Sequence, residues 1–158
     1  MFSFMNHPAQ EDYINVCSTI IPSLLYLSGY VPANNAALLE DLSIKHVLRL
    51  GDDEDLLLYE THDDIEYHTI IIEDSLKSHL TRKMLDAAIV FIQSATSPVL
   101  IHCRAGVSRS ASIAIAYMMR IQGKTYQEAK LLVKSARPCV NPNGTFLRDL
   151  QEYEWVSK

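Results

Sequence analysis

The chain has 158 residues, with 14 basic against 19 acidic side chains, a net charge of −5 and a mean hydropathy of +0.02. That length supports one compact domain with a full core, and the excess of acid argues against a nucleic-acid partner held on a general basic surface. Three cysteines at wide spacings, Cys17, Cys103 and Cys139, include no Cys-x-x-Cys pair, which argues against a zinc ribbon and fits a reducing setting, cytoplasmic with the nucleus as an alternative.

In chain order, Met1–Gln10 lacks the basic and apolar regions of a secretory leader, and no apolar run is long enough to span a membrane. Phe2 in place of Gly removes the myristoylation signal, and the C-terminus is not a prenylation box, so a soluble monomer without a membrane partner is expected. Residues 1–20 read as an N-terminal extension and residues 21–158 as the folded domain. Short apolar runs at Leu24–Leu27, His46–Leu50, Thr69–Ile72 and Val99–Ile101 read as strands, the last two covered on both faces because they do not alternate. Asp52, Asp53, Glu54, Asp55, Glu60, Asp63, Asp64 and Glu66 crowd into one stretch, which reads first as a solvated face and second as an acidic wall beside a site.

After Ser78, Leu80, Met84, Ala88, Phe91, Ile92 and Ala95 share one helical face, so a crossover helix joins two parallel strands in a βαβ unit. A helix from Ser108 through Met119 is closed by Gly123, and Thr125–Glu128 forms a capping box that opens the next, which Pro138 ends. Asn141 or Asn143 caps a last helix with Phe146, Leu147, Leu150 and Tyr153 on its apolar stripe. Trp155, Cys17 and Cys139 read as packing residues, and His7, His46, His62, His68 and His79 show no paired metal-ligand spacing.

The chemistry concentrates between Ile101 and Ser110, where a buried strand passes through a short loop into a helix. Loop amides and a helix N-terminus converge on an anion, Gly106 permits a backbone conformation that side chains resist, and the planar guanidinium of Arg109 grips two oxygens at once. The same surroundings favour the thiolate of Cys103, the nucleophilic form. Ser110 is spaced to hydrogen-bond the sulfur, and His102 orders the loop rather than acting as a base. A phosphoryl-transfer site also needs a proton donor for the departing oxygen. Asp74, past the C-terminal end of the Thr69–Ile72 strand, is preferred over Glu73, which strand alternation would turn to the opposite face.

His102-Cys103-x-x-Gly106-x-x-Arg109-Ser110 is identified as the signature of the protein-tyrosine-phosphatase superfamily, and the full run with Arg104, Ala105, Val107 and Ser108 resembles its dual-specificity branch. Ala116-Tyr117-Met118-Met119, Arg137-Pro138 and Asn141-Pro142-Asn143 with Phe146 add to the likeness, which runs from about Ile21 to Glu154. The resemblance implies a single α/β domain of the cysteine-phosphatase fold, with a central, mostly parallel twisted sheet flanked by helices. It implies a small atypical catalytic domain without a kinase-targeting module, with neither metal nor cofactor, and it also puts the general acid at Asp74. The implied reaction is hydrolysis of phosphotyrosine and phosphoserine or phosphothreonine on a protein partner, through a cysteinyl-phosphate held by Arg104, Ala105, Gly106, Val107, Ser108 and Arg109. Arg49 stands where many relatives carry Asn, and the stretch between Phe91 and Pro98 is short. Two other classes stay open: a phosphatase of a phosphoinositide, glycan or RNA 5′-phosphate, and a phosphoprotein-binding module without turnover. The first usually adds basic residues inside the loop, where this chain has only Arg104 before Arg109; the second usually loses the nucleophile.

Overall fold

The computed structural model describes residues 10–156. Readings made on residues 1–9, Phe2 and His7 among them, and on the Trp155 side chain lie outside the described residues. After a 3-10 turn at Gln10–Tyr13 come strands β1 (Ser18–Ile21) and β2 (Leu25–Ser28), then the short helices α1 (Tyr30–Ala33) and α2 (Ala36–Asp41). Strand β3 (His46–Gly51), helix α3 (Asp53–Leu56) and strand β4 (Glu66–Ile71) follow, then helix α4 (Arg82–Ser94) and strand β5 (Val99–His102). Helices α5 (Arg109–Arg120), α6 (Tyr126–Ala136) and α7 (Gly144–Val156) complete the chain.

The five strands form one sheet in the order β1-β2-β5-β3-β4, parallel throughout except for the antiparallel β1–β2 pair. β5 is central and buried at all four positions, as an unbroken Val-Leu-Ile run demands. Strand alternation divides the core. Leu25, Leu27, Leu48, Leu50, Val99 and Ile101 join the residues of α4–α7, whereas Tyr26, Val47 and Leu100 meet Ala33 and Leu39 on the α1–α2 side. Helix α5 is buried from Ser110 through Met119 and packs on β5, β2 and β3 as well as on α4, α6 and α7. Because β2, β5, β3 and β4 run parallel, their C-terminal ends open on one edge of the sheet. There the chain delivers Gly29, Cys103, Asp52 and Asp74, the position at which parallel sheets collect their ligand-binding loops.

The helix punctuation follows the sequence. Gly123 takes a positive φ of 65° after α5, the Thr125–Glu128 capping box is present in both directions, and Asn143 rather than Asn141 caps α7 by accepting from Phe146 N at 3.0 Å. Two expectations need correction. β4 is an edge strand with Ile70 buried and Ile71 57% exposed, so it is not covered on both faces. The division between residues 20 and 21 falls inside β1, so part of the expected extension belongs to the sheet. β4 and β5 run parallel, as expected of the βαβ unit, with β3 between them. Strand β1 and helices α1–α3, only four to six residues long, are too short to show a period.

Phe146 is fully buried and Leu131 is 67% exposed, although both are large apolar residues on helices. Phe146→Ala should cost about 3–5 kcal/mol and Leu131→Ala less than about 0.5 kcal/mol in urea unfolding.

Candidate active site

The loop from Cys103 to Ser108 leaves β5 and enters α5 with every peptide carbonyl turned outward. Cys103 O accepts from His102 Nδ1 at 3.2 Å, and Arg104 O from Tyr30 N at 3.1 Å. Arg137 supplies two more ties, Nη2 to Ala105 O at 3.2 Å and Nε to Gly106 O at 2.9 Å. Val107 O accepts from Asn141 N at 2.8 Å, and Ser108 O from both the amide and the hydroxyl of Ser112, at 3.0 and 2.8 Å. A trans peptide carries its N–H opposite its carbonyl, so outward carbonyls turn the amides of the loop toward its centre. Gly106 allows this turn with φ +68°, and a Cβ there would come within 2.5–2.7 Å of the Ser28–Gly29 backbone. Gly29 is needed for the same close approach, because a Cβ on it would lie 2.8 Å from Arg104 O.

Cys103 lies at the floor of this nest, 2% exposed. Its Sγ receives the Gly106 amide at 3.3 Å and sits 3.0 Å from Ser110 Oγ. Both contacts suit a sulfur that carries negative charge. Ser108 precedes α5 without capping it, so the first amides of that helix have no side-chain acceptor and face the loop.

Arg109 is 6% exposed and held from one side. Its Nη1 donates to Asp55 Oδ2 at 2.5 Å and to Ile72 O at 3.1 Å, whereas its buried Nε has no partner among the described residues. A buried donor left open is costly, so this geometry calls for an acceptor arriving from outside. Asp55, 2% exposed, is the anchor: burial works against its charge, but the Arg109 hydrogen bond and the Asp52 amide outweigh that and hold its carboxyl below the usual range. Asp55 Oδ1 also receives Arg104 Nη1 at 3.4 Å. The acidic stretch therefore divides. Asp55 is a buried site residue, Asp52 borders the cleft, and Glu60, Asp63, Asp64 and Glu66 remain exposed. The one trace of Asp55 in the sequence is the Asp52-x-x-Asp55 spacing, a reciprocal capping box in the structure.

A cleft of about 340 Å³ covers the nest, bordered by Gln10, Asp52, Glu73 and Asp74 above Cys103 and Arg109. Glu73 and Asp74 both line it, so strand alternation does not separate them; β4 has already ended at Ile71. What distinguishes Asp74 is that its Oδ1 accepts from Ser108 Oγ at 2.8 Å and from Asn143 Nδ2 at 2.9 Å. Arg49 points away from the loop, to Thr69 Oγ1 at 2.9 Å, Thr61 Oγ1 at 3.2 Å and the Tyr67 ring. Burial pushes the Cys17 thiol up to about 11 and raises that of Cys139, which disfavours the nucleophilic thiolate at both. Sequence reading missed Asp55, Gly29 and Gln10, took Arg137 only as a mark of likeness, and took Asn143 as a mark of likeness and a candidate helix cap.

Burial lowers His102 to about 4, reinforced by Arg49 and opposed by the bond to Cys103 O; with the Tyr59 ring edge-on at 4.6 Å, it stays neutral. The unfolded chain therefore binds a proton between pH 6.5 and 4 that the folded chain does not, and stability falls with pH across that window. The loss reaches about 3 kcal/mol for this one group. Urea unfolding from pH 7.5 to 4.5 should show this slope, and His102→Asn should remove that part of it.

Residues 25–155 match the family described as Dual specificity phosphatase, catalytic domain. Among characterised proteins, the chain is 35% identical over 143 residues to MAP kinase phosphatase with leucine-rich repeats protein 3 of Dictyostelium discoideum, and 37% identical over 138 residues to Dual specificity protein phosphatase Mpk3 of Drosophila melanogaster. The match takes in 89% and 85% of this chain but only 16% and 33% of those proteins. It is 34% identical to human Dual specificity protein phosphatase 22, over 89% of this chain and 74% of that protein. The structure of human tyrosine phosphatase-like serine/threonine/tyrosine-interacting protein superposes with a TM-score of 0.83 at 28% identity, over 89% of this chain and 96% of that one. With an extended catalytic-loop signature and a family match over most of its length, this chain belongs to the dual specificity phosphatase catalytic-domain family.

Proposed function

We propose that the chain hydrolyses phosphotyrosine and phosphoserine or phosphothreonine on protein substrates through a cysteinyl-phosphate. The observation that carries this reading is the nest itself: Cys103 Sγ lies beneath inward amides beside a buried Arg109 Nε that has no partner among the described residues. A phosphate dianion entering it would take the loop amides and Arg109 as donors, with phosphorus above the sulfur. Attack by the thiolate forms the S–P bond as the bond from phosphorus to the side-chain oxygen breaks, and Asp74 delivers a proton to that oxygen. Water then attacks phosphorus, Asp74 takes up its proton, the S–P bond breaks, and Ser110 hydrogen-bonds the sulfur as it leaves with the electron pair.

The Asp52 and Glu73 carboxylates at the cleft border disfavour polyanionic substrates such as phosphoinositides, which supports the protein reading. One structural relative is named phosphatase-like. Retention here of Cys103, Arg109 and Asp74 in one cleft supports turnover rather than binding alone. A thiol nucleophile persists in a reducing compartment, so we place the protein in the cytoplasm, with the nucleus as alternative.

Cys103→Ser should abolish turnover and keep inorganic phosphate binding. Asp74→Asn should lower kcat by about 10²–10⁴ fold on a phosphothreonine peptide, and far less on an activated aryl phosphate whose leaving group departs unprotonated. Both phosphotyrosine and phosphothreonine peptides should be hydrolysed by the parent protein, the former faster. Retained turnover in Cys103→Ser, or strict rejection of phosphothreonine, would contradict the reading.

A further inference from the structure

The two edges of the sheet are finished differently. β1 has four residues, its register against β2 shifts between Thr19 and Ile21, and α6 packs on it. β4 has six, in unbroken register with β3 from Glu66 to Ile71, and no strand lies on its outer side. At its two ends Glu66 N donates to Lys45 O at 2.9 Å and Ile72 N to Gly51 O at 3.0 Å. Backbone groups alternate between the two sides of a strand, so the amides and carbonyls of Tyr67, Thr69 and Ile71 point outward. None of them has a hydrogen-bond partner among the described residues. Between Tyr67 and Ile71 there is no lysine, proline or bulge, the devices that usually blunt such an edge.

We propose that the outer edge of β4 is a docking site for an extended segment of the phosphoprotein substrate, added to the sheet as a further strand. This rests on the reading of the chain as a protein phosphatase. Position favours that occupant: β4 ends at Ile71 and the chain passes directly to Glu73 and Asp74 on the border of the cleft, so a strand laid along it is aimed at the mouth of the site. Cys103 follows β5, and β3 and β4 lie between β5 and the added strand. Three strand spacings of about 4.8 Å are crossed by about four or five extended residues, so pairing begins roughly five positions from the phosphorylated residue. Antiparallel pairing, the more stable ladder, puts the segment on the C-terminal side of that residue. Charge selects its composition. Exposed Ile71 stands at the end near the cleft, and exposed Glu66, preceded by exposed Asp63 and Asp64, at the far end. Apolar β-formers followed by lysine or arginine therefore fit. A second copy of this chain fits poorly, because an antiparallel pair of β4 edges would bring the Glu66 end of each copy to the Ile71 end of the other, between molecules that both carry a net charge of −5. The main-chain ladder supplies affinity and the flanking side chains supply selectivity.

A series of phosphothreonine peptides tests this. The short one stops about three residues beyond the phosphothreonine, and the long one continues through a valine, isoleucine and threonine segment to a Lys-Arg pair. Two further versions of the long peptide carry N-methyl groups on alternate amides of that segment, in one phase or the other. The long peptide should show a KM at least about tenfold below that of the short one at similar kcat, and N-methylation in one phase, not the other, should abolish the gain. Ile71→Pro removes one outward amide and leaves the β3 ladder in place, a substitution that edge strands tolerate. It should raise KM for the long peptide about fivefold or more, with the short peptide as its control. The peptide series uses the parent protein, so it decides the matter even if Ile71→Pro is poorly folded. Equal KM for short and long peptides, or equal effects of the two N-methyl phases, would overturn the proposal and leave the phosphatase reading in place. A concentration-dependent dimer in sedimentation that Ile71→Pro dissolves would assign the edge to a second copy instead. No turnover of any phosphopeptide would overturn the phosphatase reading itself, and the docking site with it.

Discussion

The outward tethering of six consecutive peptide carbonyls, Cys103 through Ser108, is the constraint on which the rest of this structure depends. A loop that turns six amides toward one point gathers dipoles of the same sign, and an unsupported backbone would relax by rotating peptides away. Each rotation is blocked by a donor from a different part of the fold: the His102 ring, the Tyr30 amide at the start of α1, the Arg137 guanidinium, the Asn141 amide and the first turn of α5. The parallel sheet brings these segments to one edge, and Gly29 and Gly106 let two backbones approach closely enough to hold them there. The nest is built before an anion arrives, so little reorganisation is left to the reaction itself.

Two buried guanidiniums serve this arrangement in opposite ways. Arg109 is neutralised by Asp55 on one edge, while its Nε has no partner among the described residues and, on the proposed reading, would be completed by an incoming phosphate. Arg137 is fully buried and is satisfied by neutral oxygens instead: the carbonyls of Tyr13, Val16, Ala105 and Gly106 and the hydroxyl of Ser18. Its planar fork spans the gap between the N-terminal segment and the catalytic loop, a reach for which the single ammonium of lysine is a poor substitute. The N-terminal residues that Arg137 clasps lead back to Gln10 at the border of the cleft, so the strand outside the parallel set still shapes the entrance to the site.

The parts of this site that are local in the chain were legible in it. Nucleophile, Gly106, Arg109 and Ser110 lie within eight residues of one another, and the strand-loop-helix context brings them to one place. Apart from His102, most of what supports them was not legible, because those contacts cross long stretches of chain. Asp55 meets Arg109 from 54 positions away, and Arg137 meets Gly106 from 31. Gly29 carried no signal, since a lone glycine does not show which backbone will press against it. The choice of Asp74 over Glu73 rested on strand alternation, yet the strand stops at Ile71; the feature that separates them is Asn143, reached only through the fold. In the sheet, the unbroken apolar run of β5 marked a central strand, whereas the similar run ending β4 lies at an edge with Ile71 in solvent.

The central claim, that tethered carbonyls pre-form the anion site, is tested most directly by the affinity of inorganic phosphate for Cys103→Ser and for Cys103→Ser combined with Arg137→Met, measured by calorimetry on protein shown to be folded. Arg137 is placed to touch the outer side of the loop and not the ligand, while Arg109 and the loop sequence stay intact. The account predicts a loss of at least about tenfold, the equivalent of roughly 1.4 kcal/mol, when the Ala105 and Gly106 carbonyls are released. Equal affinity in the two folded variants would contradict it.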